Sequence, residues 1–247
     1  SIAGELNLDN LTIATPFYNE EQGLENYFDK IYKIHKLIHK KIDLKFLFID
    51  DGSSDKTKDQ LIKFKEKNSI LKIEILCHEK NFGYGRTLKN SISLSQTKYL
   101  ITYDSDCTYD YKIIEKLIDK IKNENCDIIN VSYKLAQKDM DVSFLRKFLS
   151  WGSSFLYRNL FSEIKKYNLS VLTCSYRIYK LEKIKDIQLK SDDFNCCAEL
   201  LIKSMIKGLN ITEIAGENIG RKFGYSKMKI MKNIFNTLKT IFLIKLS

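Results

Sequence analysis

Two carboxylates one residue apart, Asp104 and Asp106 with Ser105 between them, are the residues of this chain best suited to chemistry. They close a short apolar and aromatic run, Tyr99, Leu100, Ile101 and Tyr103, within KYLITYDSDCTYDY (98–111). A buried strand that ends there delivers both acids at its carboxyl tip. Unpaired like charges repel and resist burial. A divalent cation with a preference for hard oxygen ligands, Mg²⁺ or Mn²⁺, placed between the acids and a diphosphate makes sense of the pair. A solvated turn that carries two acids is the competing reading. What the other strand ends bring to the same place decides between them.

Residues 11–15 (LTIAT) read as a first strand stopped by Pro16, and residues 44–49 (LKFLFI) as a second that ends in Asp50-Asp51-Gly52-Ser53-Ser54-Asp55. Residues 71–77 make a third strand, followed by Asn81-Phe82-Gly83-Tyr84-Gly85-Arg86. The Asp104 strand is fourth, and 127–133 a fifth. Between them lie helical patterns, the first carrying Leu24, Tyr27, Phe28, Ile31, Ile34, Leu37 and Ile38 on one face. Strand and helix alternating at short spacing imply an α/β domain with a mainly parallel sheet and helices on both faces. Ligands of such sheets bind beyond the carboxyl ends of the strands. Four successive strands place polar clusters at that edge: Tyr18-Asn19-Glu20, Asp50-Asp51, Asn81 with its glycines, and Asp104-Ser105-Asp106.

A chain of 247 residues with 44% apolar and 29% charged residues suits a folded domain with a sizeable core. The net charge of +10 is unevenly spread: residues 218–247 hold seven basic residues and no acidic one. That block argues for an anionic partner at the C-terminal end. Six cysteines show no C-x-x-C spacing, so they read as buried reduced thiols in a cytosolic compartment rather than as a zinc site or a disulfide frame.

The second half changes character. Residues 143–161 read as a helix with a wide apolar face (Phe144, Leu145, Phe148, Leu149, Trp151, Phe155, Leu156, Leu160), which is either core or a surface for lipid. Residues 173–180 look like a strand, 194–207 a helix and 211–215 a last strand. From Met231 onward, Met231, Ile234, Phe235, Leu238, Ile241 and Phe242 fall on one side. Lys229, Lys232, Asn233, Asn236, Lys239 and Thr240 fall on the other. This basic amphipathic pattern reads as a helix lying on anionic lipid, with docking on the protein's own core as the alternative. Its longest uninterrupted apolar run is far short of the roughly 20 residues a spanning helix needs.

Four segments, TPFYNEE (15–21), FIDDGSSDKT (48–57), NFGYGRTLKNSI (81–92) and YDSD (103–106), together resemble the family 2 glycosyltransferases, which have the GT-A fold. The resemblance implies a catalytic domain over 1–220, with a nucleotide-sugar half (1–121) and an acceptor half (122–220), and a membrane-associating segment over 221–247. It implies a donor-binding set of Pro16, Tyr18, Glu20, Asp50, Asp51, Asn81, Gly83, Arg86 and Ser105, for a GDP- or UDP-sugar. Asp50 would receive the base or ribose, Gly83 would allow close backbone approach to the donor, and Asp104 and Asp106 would hold Mg²⁺ or Mn²⁺ on the diphosphate. The reaction is then inverting displacement at the sugar's anomeric carbon.

In the second half, RKFLSWGSSFLYRNLF (146–161), LTCSYRIYK (172–180) and RKFGYSKMK (221–229) look like polyprenyl-phosphate sugar synthases of the dolichyl-phosphate mannose type. This implies that Arg146, Arg158, Arg177, Arg221, Ser226 and Lys227 include the groups that bind phosphate, and it implies an enzyme peripheral on the inner face of the cell membrane. The chain departs from that subgroup: Val171 replaces an acidic residue, Ser175 stands in a glycine's place, and Thr108-Tyr109-Asp110-Tyr111 replace an expected histidine and prolines. A phosphate acceptor is already an anionic nucleophile, whereas a sugar hydroxyl needs a general base. Asp192 and Asp193 sit where such a base lies in members acting on sugars, and equally where a helix cap belongs. Three readings therefore stand: transfer to a polyprenyl phosphate, transfer to a sugar hydroxyl of a glycan precursor, or a non-catalytic nucleotide- or lipid-binding module. Nucleic acid is not an expected partner, because the basic residues lie on an amphipathic helix without interleaved exposed aromatics.

Overall fold

Alternating apolar strands and amphipathic helices build one seven-stranded sheet with helices on both faces. The computed structural model describes residues 9–136, 152, 154–217 and 230–246. The strands are β1 (Asn10–Phe17), β2 (Asp43–Asp50), β3 (Ile73–Cys77), β4 (Tyr99–Thr102), β5 (Ile128–Ser132), β6 (Arg177–Lys180) and β7 (Ile211–Ala215), in the order β3-β2-β1-β4-β6-β5-β7. The helices are α1 (Leu24–Ile38), α2 (Thr57–Lys67), α3 (Tyr84–Leu94), α4 (Ile113–Asn123), a short α5 (Leu181–Ile184), α6 (Cys196–Ile206) and α7 (Ile230–Lys245); residues 154–160 are also helical.

Side-chain alternation along each strand sorts the core into two layers. Leu44, Phe46 and Phe48 of β2 face one way and pack with Leu24, Tyr27 and Ile31 of α1 and with Ile114 and Leu117 of α4. Leu47 and Ile49 face the other way and join Leu88 and Ile92 of α3 and Leu200 and Leu201 of α6. A mainly parallel sheet is therefore buried on both sides, as its near-continuous apolar strands require.

Two topological details position the site. The chain winds outward from β1 to β3 and then returns to place β4 on the other side of β1, so the winding reverses between β1 and β4. Such a switch point opens a crevice at the carboxyl edge of the sheet. The other detail is β6, which runs antiparallel to both β4 and β5, while the remaining pairs are parallel. Its first residue, Arg177, pairs with Thr102 at the last position of β4. The residues just before β6 are thereby carried to the edge where Asp104 leaves the sheet.

Three elements differ from the sequence-based expectation. β1 runs through Pro16 to Phe17, because its pairing with β4 ends at Ala14 and only β2 lies beside the proline. The strand expected over 173–180 starts at Arg177, after a bend at residues 172–173. The C-terminal helix divides its surface differently from the pattern read along the chain. Thr237, Thr240, Ile241 and Ile244 are buried, the two isoleucines in the core layer of α6, while Phe235, Leu238 and Phe242 are exposed. It docks on the protein's own core along one stripe and leaves a second apolar stripe outward.

Candidate active site

A tight turn closes the end of β4. The Cys107 N–H donates to the Asp104 carbonyl (3.2 Å), and Cys107 takes a left-handed φ of 52°. Positive φ is strained for a side chain with a Cβ. This turn carries Asp104 and Asp106, both half-buried, just beyond the end of β4. Asp104 Oδ2 accepts from the Ser175 hydroxyl (2.5 Å), and the Tyr84 hydroxyl lies 3.5 Å from Oδ1. Asp106 Oδ1 accepts from the Thr108 N–H (3.1 Å) and the Thr108 hydroxyl. Among the described residues no group of three or more His, Cys, Asp or Glu side chains forms a metal cluster. Two carboxylate side chains suit a cation that completes its shell with phosphate oxygens and water, as Mg²⁺ does. The donor set fits Mg²⁺ or Mn²⁺ on a diphosphate and does not fit a protein-caged ion.

Asp50 and Asp51 are adjacent and both buried, yet they differ in what they hold. Asp51 is filled by protein donors: His78 Nδ1 (2.7 Å), Asn81 Nδ2 (3.0 Å) and the backbone N–H groups of Phe82 (2.9 Å) and Gly83 (2.8 Å). It shapes the 78–83 loop. Asp50 accepts the Ser53 N–H at Oδ2 (3.3 Å), and its buried Oδ1 has no hydrogen-bond partner. A buried carboxylate oxygen without a donor is costly, so this atom marks a place for one. Beside it the 18–21 loop is sewn to the 53–57 loop. Asn19 N–H donates to Ser53 Oγ (3.0 Å), Glu20 N–H to Thr57 Oγ1 (2.8 Å) and Ser54 N–H to Asn19 Oδ1 (2.8 Å). Pro16 is half-buried and Tyr18 exposed at the mouth.

The glycine loop at the start of α3 meets the 191–193 segment of the second half. Gly83 has φ 98°, and a Cβ there would lie 2.3 Å from the Asp192 carbonyl oxygen. A Cβ on Gly85 would lie 2.4 Å from the Ser191 carbonyl oxygen, and Gly85 N–H donates to the Asp192 carbonyl (2.8 Å). These glycines admit the 191–193 backbone. The Asp192 carboxylate holds Lys89 Nζ at 2.8 Å and Arg86 Nε at 3.6 Å. Asp193 Oδ1 accepts from Asn195 N–H (2.8 Å) and Nδ2 (2.9 Å), a turn just before α6. Fully buried Glu199 takes the Lys190 and Ser191 N–H groups (2.9 Å each), and α7 grips the segment through Thr240–Ser191 (3.0 Å) and Thr237–Asn195 (3.0 Å).

Residues 12–188 match the model of glycosyl transferase family 2. The chain belongs to that family. Among curated relatives, it is 24% identical over 238 residues to a dodecaprenyl-phosphate galacturonate synthase of Rhizobium johnstonii, covering 95% of this chain and 67% of that protein. It is 25% identical over 232 residues to a dolichol-phosphate mannosyltransferase of Pyrococcus furiosus, covering 94% of this chain and 62% of the relative. The chain thus spans about two thirds of these relatives' length. Its fold is similar to glucosyl-3-phosphoglycerate synthase from Mycobacterium tuberculosis, solved with Mn²⁺, UDP and phosphoglyceric acid: TM-score 0.69, 15% identity, 96% of this chain and 78% of that one. The GT-A fold expected from the sequence is the fold observed.

Within this family 2 transferase the expected acceptor cations part company. Arg177 is fully buried and spends its guanidinium on Asn130 Oδ1 (2.7 Å) and on the carbonyls of Cys197 (2.5 Å) and Leu172 (2.8 Å). It ties β5, β6 and α6 together; its expected place among the phosphate-binding groups is corrected to a structural one. Arg158 is half-buried and donates to the Leu169 carbonyl. Lys134, held beside Arg158, has its ammonium pKa lowered, first by burial and then by that neighbouring charge. Arg146, Arg221, Ser226 and Lys227 lie outside the described residues. Ser175 and Tyr84 at Asp104, and Phe194 with its ring 5.1 Å from that of Tyr84, are site residues the motif reading did not select. Ser175 had a signal, its place in a glycine's position, and Tyr84 lies inside the 81–92 segment; Phe194 had none.

Proposed function

We propose that this family 2 protein is a metal-dependent, inverting glycosyltransferase that moves a sugar from a nucleotide donor to a polyprenyl phosphate at a membrane surface. The observation that carries this reading is the Asp104–Asp106 turn at the β1/β4 switch point, on the same sheet edge as the unpartnered oxygen of Asp50. Asp50 would accept an N–H or O–H of the base or ribose, while Tyr18, Glu20 and Pro16 line the mouth. Asp104 and Asp106 would hold Mg²⁺ or Mn²⁺, which supplies charge stabilisation to the departing nucleoside diphosphate. Arg86, half-exposed beside the donor loop, adds positive charge there.

The two carboxylates of the 191–195 segment support a phosphate acceptor. Asp192 is ion-paired with Lys89, and Asp193 Oδ1 accepts from Asn195, so both already serve protein groups. A phosphate monoester is an anionic nucleophile that needs no such base. The relatives from Rhizobium johnstonii and Pyrococcus furiosus, both named for prenyl-phosphate acceptors, favour the same class. Arg158, with Arg146, Arg221, Ser226 and Lys227, would contribute to the phosphate site, since the guanidinium fork suits phosphate oxygens. Exposed Phe155, Leu156 and Leu160 on the 154–160 helix and Phe235, Leu238 and Phe242 on α7, with the basic C-terminal block, would rest on anionic lipid at the inner face of the membrane. No described helix is long and apolar enough to cross a bilayer.

The test is to incubate the protein with a panel of GDP- and UDP-sugars, Mn²⁺ or Mg²⁺, and a polyprenyl phosphate. Sugar entering the lipid phase only when the phosphate is present is the expected result. Sugar appearing instead on a glycan hydroxyl acceptor would overturn the acceptor assignment.

A further inference from the structure

Asp104 is held by side chains from two distant segments. Ser175, just before β6, donates to Oδ2 at 2.5 Å, and the hydroxyl of Tyr84, the first residue of α3, stands 3.5 Å from Oδ1. Both hydroxyls are fixed from behind. The Ser175 carbonyl receives the Thr102 hydroxyl, the Tyr84 carbonyl receives the Thr87 hydroxyl (2.6 Å), and the Tyr84 ring packs edge-on against Phe194. Ser175 is buried. Each hydroxyl carries one donor hydrogen that a carboxylate oxygen accepts.

We propose that Ser175, supported by Tyr84, is a positioning residue for the metal carboxylate of this chain. The Ser175 hydroxyl occupies one oxygen of Asp104 and fixes the plane of the carboxylate, so that a divalent cation is bound by an acid already oriented. A glycine at this position supplies no such donor. Supporting bonds of this kind are worth about 10- to 100-fold in metal affinity. The inference rests on Asp104 and Asp106 being the metal carboxylates.

The experiment is a titration of Mn²⁺ followed by its electron paramagnetic resonance signal, with UDP and separately with GDP, on the full chain and on Ser175→Ala, Ser175→Gly and Tyr84→Phe. The wild type is expected to take up Mn²⁺ with at least one nucleotide. The Ser175 variants should bind it about tenfold more weakly, and Tyr84→Phe about threefold more weakly, with melting temperatures little changed. Folded Ser175 variants that keep wild-type Mn²⁺ affinity, or bind more tightly, overturn the proposal. If neither Ser175 variant folds, Tyr84→Phe decides: weaker binding supports the proposal and unchanged binding overturns it. A wild type that takes up no Mn²⁺ with either nucleotide contradicts the metal reading itself, a different failure from an effect missing only in the variants.

Discussion

Asp50 and Asp51 are neighbours at the end of β2, equally buried, and they do opposite work. Asp51 is saturated by four donors from the 78–83 loop and holds the donor edge in shape; Asp50 keeps one buried oxygen without a partner. The two halves of the molecule repeat this contrast on a larger scale. In the first half, most candidate site residues lie at or shortly after the carboxyl end of a strand. In the second half, residues reach the site through tertiary contacts: Ser175 by the reversed strand β6, Asp192 by a segment gripped between α3, α6 and α7. A saturated carboxylate or a docked backbone builds the frame, while an unsatisfied or outward carboxylate is left for a ligand.

Substitutions that separate frame from site test this division. Asp106→Ala should leave thermal stability nearly unchanged and cut turnover by about 10³-fold, measured as sugar transfer with Mn²⁺ present. Asp51→Ala should do the reverse in kind. Stranding the donors of His78, Asn81, Phe82 and Gly83 should cost about 3 kcal/mol or more of folding free energy in urea unfolding. A stable Asp51→Ala with normal transfer would dissolve the distinction between the two aspartates.

The ordering of these effects reflects what could be read along the chain. The donor motifs, the β/α alternation and the Asp104–Asp106 turn were legible because each depends on residues close in sequence. The burial of Arg177 was not: an arginine that serves three partners from residues 130, 172 and 197 looks, in one dimension, like any basic residue near a phosphate site. The α7 helix misled for a related reason. Its threonines Thr237 and Thr240 look polar on paper, yet they pair with Asn195 and Ser191 and so turn inward, which sends Phe235, Leu238 and Phe242 outward.

Smaller effects sharpen the same comparison. Gly85→Ala forces a Cβ onto the Ser191 and Asp192 backbone and should destabilise by about 2 kcal/mol, seen as a lowered melting temperature. Asp50→Asn keeps the fold and should raise the donor KM about tenfold, the loss of one charge-assisted hydrogen bond. Phe242→Ser should change stability by no more than about 0.5 kcal/mol, since its side chain is exposed, while reducing sedimentation with anionic vesicles. Ile241→Ser, one residue earlier but buried, should destabilise the fold instead.

The central claim is that Asp104 and Asp106 join a divalent cation to a nucleoside diphosphate. Calorimetric titration of UDP and GDP into the protein, with Mn²⁺ and then with a chelator, tests it most directly, with Asp106→Ala in parallel. Binding of one nucleotide that strengthens at least about tenfold with Mn²⁺ in the wild type, and gains nothing from Mn²⁺ in Asp106→Ala, is the predicted result. Nucleotide binding that is equally tight in chelator, or a Mn²⁺ gain that survives in Asp106→Ala, would contradict it.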